Sequence, residues 1–371
     1  MSGSVGQGSK SKSEMVVVCH LCSQPGHRKS NCPMKPQRRG HNSRRRKTIQ
    51  SEENRKRELP FLLTQIIQQR GINAKQSLCK PMESRSQTIC FPDLAKKVIL
   101  ASSHGWLVLG GYFFNDEECF LWNPGSKAKI NLPNTNAWYH FNKCVLSKAP
   151  TEPDCHILFY STHPFNRYWL SFCKIGDDKY EDESHQLVAT ASFQGKIYGI
   201  TNPGYKFVII DFVGGKMEFR PILMLDREQP FKAPIVKRNW VLRHEIDLIN
   251  SPFDDELLMV IKDFPHDRNY VHDDIEYRVF RVNVNRMECI EVDDIGYHAI
   301  LIGYNGNGFC CSSSVANTFK PNSIYYTPMH GPDFYVYDLD EKSTTSCLPP
   351  DVGNISLCSI NCWVDLKELS C

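Results

Sequence analysis

The stretch of sequence that decides the fold reads Phe120-Leu-Trp-Asn-Pro-Gly-Ser-Lys-Ala-Lys-Ile-Asn-Leu-Pro133. An apolar run meets a turn signal, a second apolar run follows, and a Leu-Pro pair ends the unit, as is typical of a β-hairpin. The same order recurs in segments that begin at Phe207, Tyr277 and Tyr335. Hairpins that recur at intervals of tens of residues predict an all-β fold built of propeller blades.

The hairpin pattern begins near residue 88 and predicts a kelch-like β-propeller over residues 88–371. About 280 residues at ~45 residues per blade give roughly six blades. Aromatic residues in strands usually pack in the core, so we predict that the tryptophans of these strands fill the blades. They are Trp106, Trp122, Trp138 and Trp169.

Several motifs in this region occur in an order that points to a family. Ser102-Ser-His-Gly-Trp-Leu107 and Leu121-Trp-Asn-Pro124 come first, and Asp294-Ile-Gly-Tyr-His-Ala-Ile-Leu-Ile-Gly303 and Pro321-Asn-Ser-Ile-Tyr-Tyr326 come near the end. Together they resemble the plant F-box proteins with a kelch-like β-propeller, the kink-suppressor family. The resemblance implies a plant protein whose propeller binds a protein partner. Members of the family with an F-box are expected to present substrates for ubiquitination.

A short cysteine-rich segment, residues 16–34, stands far from the propeller in sequence. Its spacing is C-x2-C-x4-H-x4-C, and its predicted metal ligands are Cys19, Cys22, His27 and Cys32. Three thiolates and one imidazole form a closed tetrahedral site for one structural Zn²⁺. The segment resembles the zinc knuckle of retroviral nucleocapsid proteins, which grips single-stranded bases. That resemblance implies a base platform at His20 and Leu21.

Positive charge is concentrated around this segment. Residues 1–60 carry a net charge of +10 against +3 for the whole chain, which leaves −7 on residues 61–371. Such a basic segment favours nucleic-acid binding that depends on salt, through contacts to phosphates. The predicted phosphate contacts are Arg28, Lys29, Arg38, Arg39, Arg44, Arg45, Arg46 and Lys47. The run at 44–47 is equally compatible with a nuclear localisation signal or a solvated basic tail.

The segments on either side of the knuckle predict linkers. Residues 1–15 and 35–58 are polar and poor in apolar side chains, so we predict disorder there. Residues 59–87 are predicted to hold a short amphipathic helix and a linker. The start Leu59-Pro-Phe-Leu-Leu-Thr-Gln-Ile-Ile67 resembles the opening helix of an F-box, but the pattern of the later F-box helices is missing, so these residues predict at most an F-box remnant.

Composition and motifs exclude several other classes. A hydrophobic content of 41% suits a globular core. We find no signal peptide, membrane-spanning segment, phosphate-binding glycine loop or nucleotide fingerprint, and we predict no catalytic residues and no enzyme. Sixteen cysteines without a secretion signal favour free thiols in a protein of the nucleus and/or cytoplasm.

The sequence therefore predicts a zinc-binding protein that contacts single-stranded nucleic acid, RNA rather than DNA, and binds a further protein through its propeller. In this interpretation neither a Skp-type adaptor nor a membrane is a partner. The alternative is a substrate receptor of a plant SCF ubiquitin ligase with a degenerate F-box. A third interpretation is a chance fusion in which the knuckle descends from a mobile element.

Overall fold

A computed structural model describes fourteen segments of the chain. They are residues 61–66, 75–79, 87–89, 97–111, 118–134, 141–162, 170–224, 242–251, 256–265, 274–303, 308–312, 319–328, 334–347 and 359–364. Apart from a single 3-10 position at Asp274, the regular secondary structure of these segments consists of strands. None of the described residues belongs to a helix that could span a membrane. The all-β class predicted from the sequence is confirmed.

Five sheets with described side chains form the blades of a propeller, numbered here in chain order. Blade 1 is β4 (Lys97–Ser103), β5 (Trp106–Gly111), β6 (Phe120–Trp122) and β7 (Lys129–Asn131). Blade 2 is β8 (Lys143–Leu146), β9 (His156–Tyr160), β10 (Leu170–Lys174) and β11 (Glu181–Glu183). Blade 3 is β12 (Gln186–Phe193), β13 (Lys196–Asn202), β14 (Lys206–Val213) and β15 (Lys216–Met224). Blade 4 is β16 (Leu242–Asn250), β17 (Leu257–Pro265), β18 (Glu276–Asn283) and β19 (Glu288–Val292).

Blade 5 departs from the simple up-and-down order. It contains β20 (His298–Ile302), β21 (Gly308–Ser312), β22 (Ser323–Tyr326), β23 (Phe334–Asp338) and β24 (Ser343–Cys347). The order in the sheet is β21-β20-β22-β23-β24, and β20 runs parallel to β22. The first strands of successive sheets lie against one another around the ring, with β21 next to β16.

A closing sheet joins strands from the two ends of the propeller. It contains β1 (Phe61–Ile66), β2 (Lys75–Cys79), β3 (Gln87–Ile89) and β25 (Ser359–Val364), in the order β25-β1-β2-β3. Five blades have a core of described side chains, one fewer than the roughly six blades predicted. The closing sheet is a sixth sheet, of which the structure describes only the backbone. Pairing of a C-terminal strand with an N-terminal one is how an open series of blades becomes a ring.

The closing sheet corrects the sequence interpretation of residues 59–87. The predicted amphipathic helix is wrong for residues 61–66, which form β1 between β2 and β25. A short apolar run does not distinguish a helix from a buried strand by its periodicity. Residues 61–66 form a strand because they pair with β2 on one side and with β25 on the other, and β25 is nearly three hundred residues away in sequence.

The hydrophobic core is divided into layers between neighbouring blades, because each blade is covered on both faces. In β9, Ile157 and Phe159 belong to the layer shared with blade 1, whereas Leu158 and Tyr160 belong to the layer shared with blade 3. The run Leu257-Leu-Met-Val-Ile261 in β17 alternates in the same way between the layers toward blades 3 and 5. Strands buried on both faces are continuous apolar runs, which explains why strict alternation of apolar and polar residues is rare here.

Candidate functional site

The predicted zinc ligands and nucleic-acid contacts all lie between residues 19 and 47, outside the described residues. The structure therefore brings none of them together and separates none. In the part of the chain that is described, no three His, Cys, Asp or Glu side chains are grouped so that they could hold a metal ion. The cysteines described there form no disulfide with one another, as predicted, and Trp106 and Trp122 are buried in blade 1 as predicted.

One edge of the propeller carries the turns after the first and third strands of blades 1, 2 and 3. In an antiparallel blade these two turns lie on the same side of the ring. In blade 1 the Asn123 side chain donates a hydrogen bond to the Gly105 carbonyl, 3.2 Å away, and so ties the two turns together. Between blades 2 and 3 the His156 ring stacks on Phe212 with 3.9 Å between ring centroids. We call this side the turn face.

The inner strands of blades 2, 3 and 4 are joined near the turn face. Ser192 Oγ donates to the Ser147 carbonyl at 2.8 Å, and the Asn250 side-chain amide donates to the Ser192 carbonyl. Each contact links neighbouring blades at the end of an inner strand. These hydrogen bonds align the three strands around the central channel of the propeller.

Further from the turn face, a buried ion pair spans blade 3. Lys143 Nζ at the start of β8 lies 2.7 Å from Asp247 Oδ1 in β16 and 3.3 Å from the Ile246 carbonyl. The Lys143 and Asp247 side chains are 10% and 9% exposed. Burial alone would lower the pKa of the Lys143 ammonium, but the Asp247 carboxylate outweighs it, and the pKa is raised above its ordinary value. The lysine therefore stays charged.

Two further polar contacts surround this pair. Tyr160, which lies opposite Lys143 in the β8–β9 pairing, accepts a hydrogen bond from the Thr190 hydroxyl at 3.0 Å, and burial raises the pKa of its phenol. Lys262 lies 3.0 Å from Glu245, whose side chain is 56% exposed. Burial raises the pKa of Glu245, but the ammonium groups of Lys262 and Lys143 lower it by a larger amount. The pKa is therefore below its ordinary value and the carboxylate is ionised.

A second charged cluster crosses blade 4. Asp263, only 1% exposed, contacts His244 Nδ1 with one carboxylate oxygen and Arg278 Nε with the other, at 2.9 Å from the latter. The three residues belong to β16, β17 and β18. A buried carboxylate is tolerated when it is paired and hydrogen-bonded, so this cluster neutralises Asp263 and ties three strands together.

The outer rim of blade 4 has a different character. Among the described residues, the large hydrophobic side chains that remain exposed are Val213, Met287, Ile290 and Tyr297. Ile290 belongs to β19 and Met287 directly precedes it, whereas Tyr297 directly precedes β20 of blade 5. Exposed apolar groups concentrated in one place on a folded surface indicate an interaction site more often than scattered ones do.

The buried charges are thus paired with one another, and exposed apolar groups are found on the rim of blade 4. The fold and the surface together define a β-propeller protein-interaction domain.

Comparison with known proteins identifies the family. The family model described as KIB1-4 beta-propeller matches residues 77–349, and the chain belongs to this family. The resemblance inferred from the ordered motifs is confirmed, and the match begins before the boundary at residue 88 predicted from the sequence.

A plant relative was found by comparison with curated proteins. An F-box protein of Arabidopsis thaliana is 31% identical over 102 residues, which amount to 27% of this chain and 25% of the relative. The chain therefore matches about a quarter of the length of that protein.

Solved structures with similar shapes are distant in sequence. TolB from Acinetobacter baumannii has a TM-score of 0.42 at 9% identity, over 82% of this chain and 66% of that chain. A protein from Lactobacillus plantarum has a TM-score of 0.38 at 10% identity, over 82% of this chain and 99% of that chain.

Sequence reasoning missed both the Lys143–Asp247 pair and the exposed rim of blade 4. The pair joins residues 104 positions apart, and a lysine at the start of a strand is usually exposed. The rim left a weak signal, because Ile290 lies within Glu288-Cys-Ile-Glu-Val-Asp-Asp294, where an apolar residue stands among acids.

Proposed function

We propose that this chain is the protein-recognition component of an F-box-type substrate receptor in a plant SCF ubiquitin ligase. Its propeller binds the protein to be ubiquitinated, and the chain itself catalyses no reaction. The observation that carries the proposal is the KIB1-4 beta-propeller match over residues 77–349, and the similarity to an Arabidopsis F-box protein supports it. The protein would act in the nucleus and/or cytoplasm.

The structure restricts how an adaptor could bind. Residues 61–66 are a strand of the closing sheet, so they are not available as the first helix of an F-box. A Skp-type adaptor would have to contact another part of the protein.

Co-expression with a Skp-type adaptor, followed by affinity capture and size-exclusion chromatography, tests this function. The full chain is compared with a variant that lacks residues 1–57, which leaves the unit Glu58–Cys371 that contains the propeller. We expect the adaptor to co-elute with the full chain. Retention by the shortened variant would place adaptor binding on residues 58–371, and loss would place it on residues 1–57. A folded full chain that recovers no adaptor would refute the ligase role.

A second candidate function is zinc-dependent binding of single-stranded RNA by residues 16–34. The spacing of Cys19, Cys22, His27 and Cys32 favours it, because three thiolates and an imidazole are a donor set that Zn²⁺ prefers. Bound zinc would supply the folding energy of so short a segment. His20 and Leu21 would then contact bases, and the basic residues around them would contact phosphates.

Zinc content and RNA binding of the full chain test this second function. We expect one zinc per chain by elemental analysis, its loss in Cys22→Ser, and weaker binding of a short single-stranded RNA by that variant in fluorescence anisotropy. Binding unchanged by a chelator and abolished by higher salt would attribute the affinity to the basic segment alone.

A further inference from the structure

Strand β19 forms the outer edge of blade 4. It pairs along its length with β18, from Val279 opposite Val292 to Asn283 opposite Glu288, and it is the last strand in the order of the sheet. Within the described segments, no strand therefore neighbours the backbone groups on its outer side. An exposed edge of this kind can pair with an extended segment of another chain.

Other outer strands carry protections against such pairing that are absent from β19, whose polar residues are the two glutamates Glu288 and Glu291. Strands β3, β7 and β11 contain only three residues each. Strand β15 contains Pro221 and a register irregularity opposite Phe207 and Val208. Strand β24 has the polar sequence Ser-Thr-Thr-Ser-Cys. Short length, proline, bulges and polar side chains are the usual protections of an edge. Strand β19 has five regularly paired residues and no proline.

Apolar side chains are exposed beside this edge. Ile290 in the middle of β19 is 58% exposed, and Met287 directly before the strand is 56% exposed. Large hydrophobic side chains left in water cost free energy that a partner would recover by covering them. Their grouping on one rim indicates that this edge is covered in the functional complex.

Most charged side chains around these apolar groups are acidic, the exceptions being Arg286, which precedes Met287, and Arg281, which stands opposite Ile290 and pairs with Glu256. Glu288, Glu291, Asp293 and Asp294 are all exposed, and within the described residues no ion pair is formed by any of them. Residues 61–371 as a whole carry a net charge of −7. A ligand with positive charges spaced along an extended backbone would complement this edge electrostatically.

We propose that β19 is the docking strand for an extended basic peptide segment of a protein partner, which adds to blade 4 as a fifth strand. Backbone hydrogen bonds to the outer edge of β19 hold the segment. On one face of the added strand a lysine or arginine side chain pairs with Glu291, and on the other face an apolar side chain covers Ile290. This inference rests on the proposed role of the propeller in recognising a protein substrate.

A labelled nine-residue peptide of alternating arginine and valine is the probe. Its binding to the full chain is measured by fluorescence anisotropy, and amide hydrogen exchange is followed with and without the peptide. We expect saturable binding and slower exchange in residues 288–292. Because the substituted side chains are exposed, we expect Glu288→Gln/Ile290→Ser/Glu291→Gln to keep the thermal unfolding temperature of the unmodified chain and to bind the peptide at least tenfold more weakly.

The matched control removes the same charge from another exposed place. Glu152→Gln/Asp178→Asn changes two exposed acids of blade 2, and we expect binding within twofold of the unmodified chain. Equal losses in the two variants, or binding without slower exchange in β19, would overturn the proposal in favour of general electrostatic attraction. Absence of peptide binding from a chain that still captures the adaptor would overturn this inference alone. Peptide binding without the adaptor would contradict only the ligase role.

Discussion

The buried pair between Lys143 and Asp247 gives the sharpest quantitative prediction. The Lys143→Met substitution keeps most of the length of the side chain and removes the ammonium, which leaves the Asp247 carboxylate 9% exposed and without its cation. Removal of one partner of a buried ion pair costs about 3–5 kcal/mol, because the remaining charge is not solvated. We therefore expect Lys143→Met to lower the free energy of unfolding by this amount.

The double variant separates the interaction from the packing. Lys143→Met/Asp247→Leu removes both charges, and replacement of a buried pair by apolar groups is commonly neutral or stabilising by about 1–4 kcal/mol. We expect the double variant to be more stable than Lys143→Met. A unit of about 310 residues unfolds with an entropy near 0.65 kcal/mol/K, so the single variant should melt about 5–8 °C below the unmodified chain.

An exposed pair with the same separation provides the control. Lys179 Nζ and Glu181 Oε1 are also 2.7 Å apart, but their side chains are 78% and 52% exposed. Lys179→Met should change stability by less than about 1 kcal/mol. Thermal unfolding of the four proteins followed by circular dichroism measures these differences.

The pH and salt dependence test whether the pair is buried. The folded-state pKa of Lys143 lies above its ordinary value, so its contribution is complete below the unfolded-state value of about 10.4 and falls only as pH rises through the folded-state pKa. The difference between Lys143→Met and the unmodified chain should then be equal at pH 7 and pH 9, and nearly unchanged by 0.5 M salt, because buried pairs are weakly screened. A loss below about 1 kcal/mol, or one that disappears in salt, would refute the reasoning.

Three further predictions concern the blades. Burial lowers the pKa of His156 in the folded state, so the free energy of unfolding should be unaffected by this group above about pH 6.5 and should fall as the pH drops below that value. Thermal melts at pH 7.5 and pH 5 should therefore show a smaller loss of stability on acidification for His156→Gln than for the unmodified chain. A Cβ on Gly308 would lie 2.5 Å from Ile249 Cδ1, so Gly308→Ala should cost about 1–3 kcal/mol by overpacking; a neutral result in urea unfolding would show that the isoleucine moves aside. Burial raises the pKa of the thiols of Cys119 and Cys173, the latter to about 12, so maleimide at pH 7.5 should label neither without denaturant.

Much of the fold could be predicted from local sequence. The hairpin at residues 120–133 forms as predicted, with Trp122 and Lys129 paired on either side of its turn and Leu121 opposite Ile130. Asn123 accepts a hydrogen bond from the Ser126 backbone N–H at 2.8 Å, which is the local chemistry that favours asparagine in turns. Such features depend on neighbours within a few residues, and sequence patterns report them directly.

The candidate site could be predicted only in part. The zinc spacing and the basic segment are visible in the sequence and stay predictions, because residues 1–60 lie outside the described part of the chain. The edge at β19 could not be recognised in advance. The rim position of β19 follows from the order of strands in the sheet, in which β19 is last and pairs with β18.

The sequence by itself determined the strand class, the hairpins, the family resemblance and the separation of a basic segment from an acidic propeller. The tertiary structure decided that Phe61–Ile66 is a strand, which β25 stabilises from the other end of the propeller. It also brought Lys143 to Asp247 and left Ile290 exposed. Periodicity and spacing arise from local backbone geometry, whereas the closing of a ring and the burial of a charge depend on contacts between residues far apart in the chain.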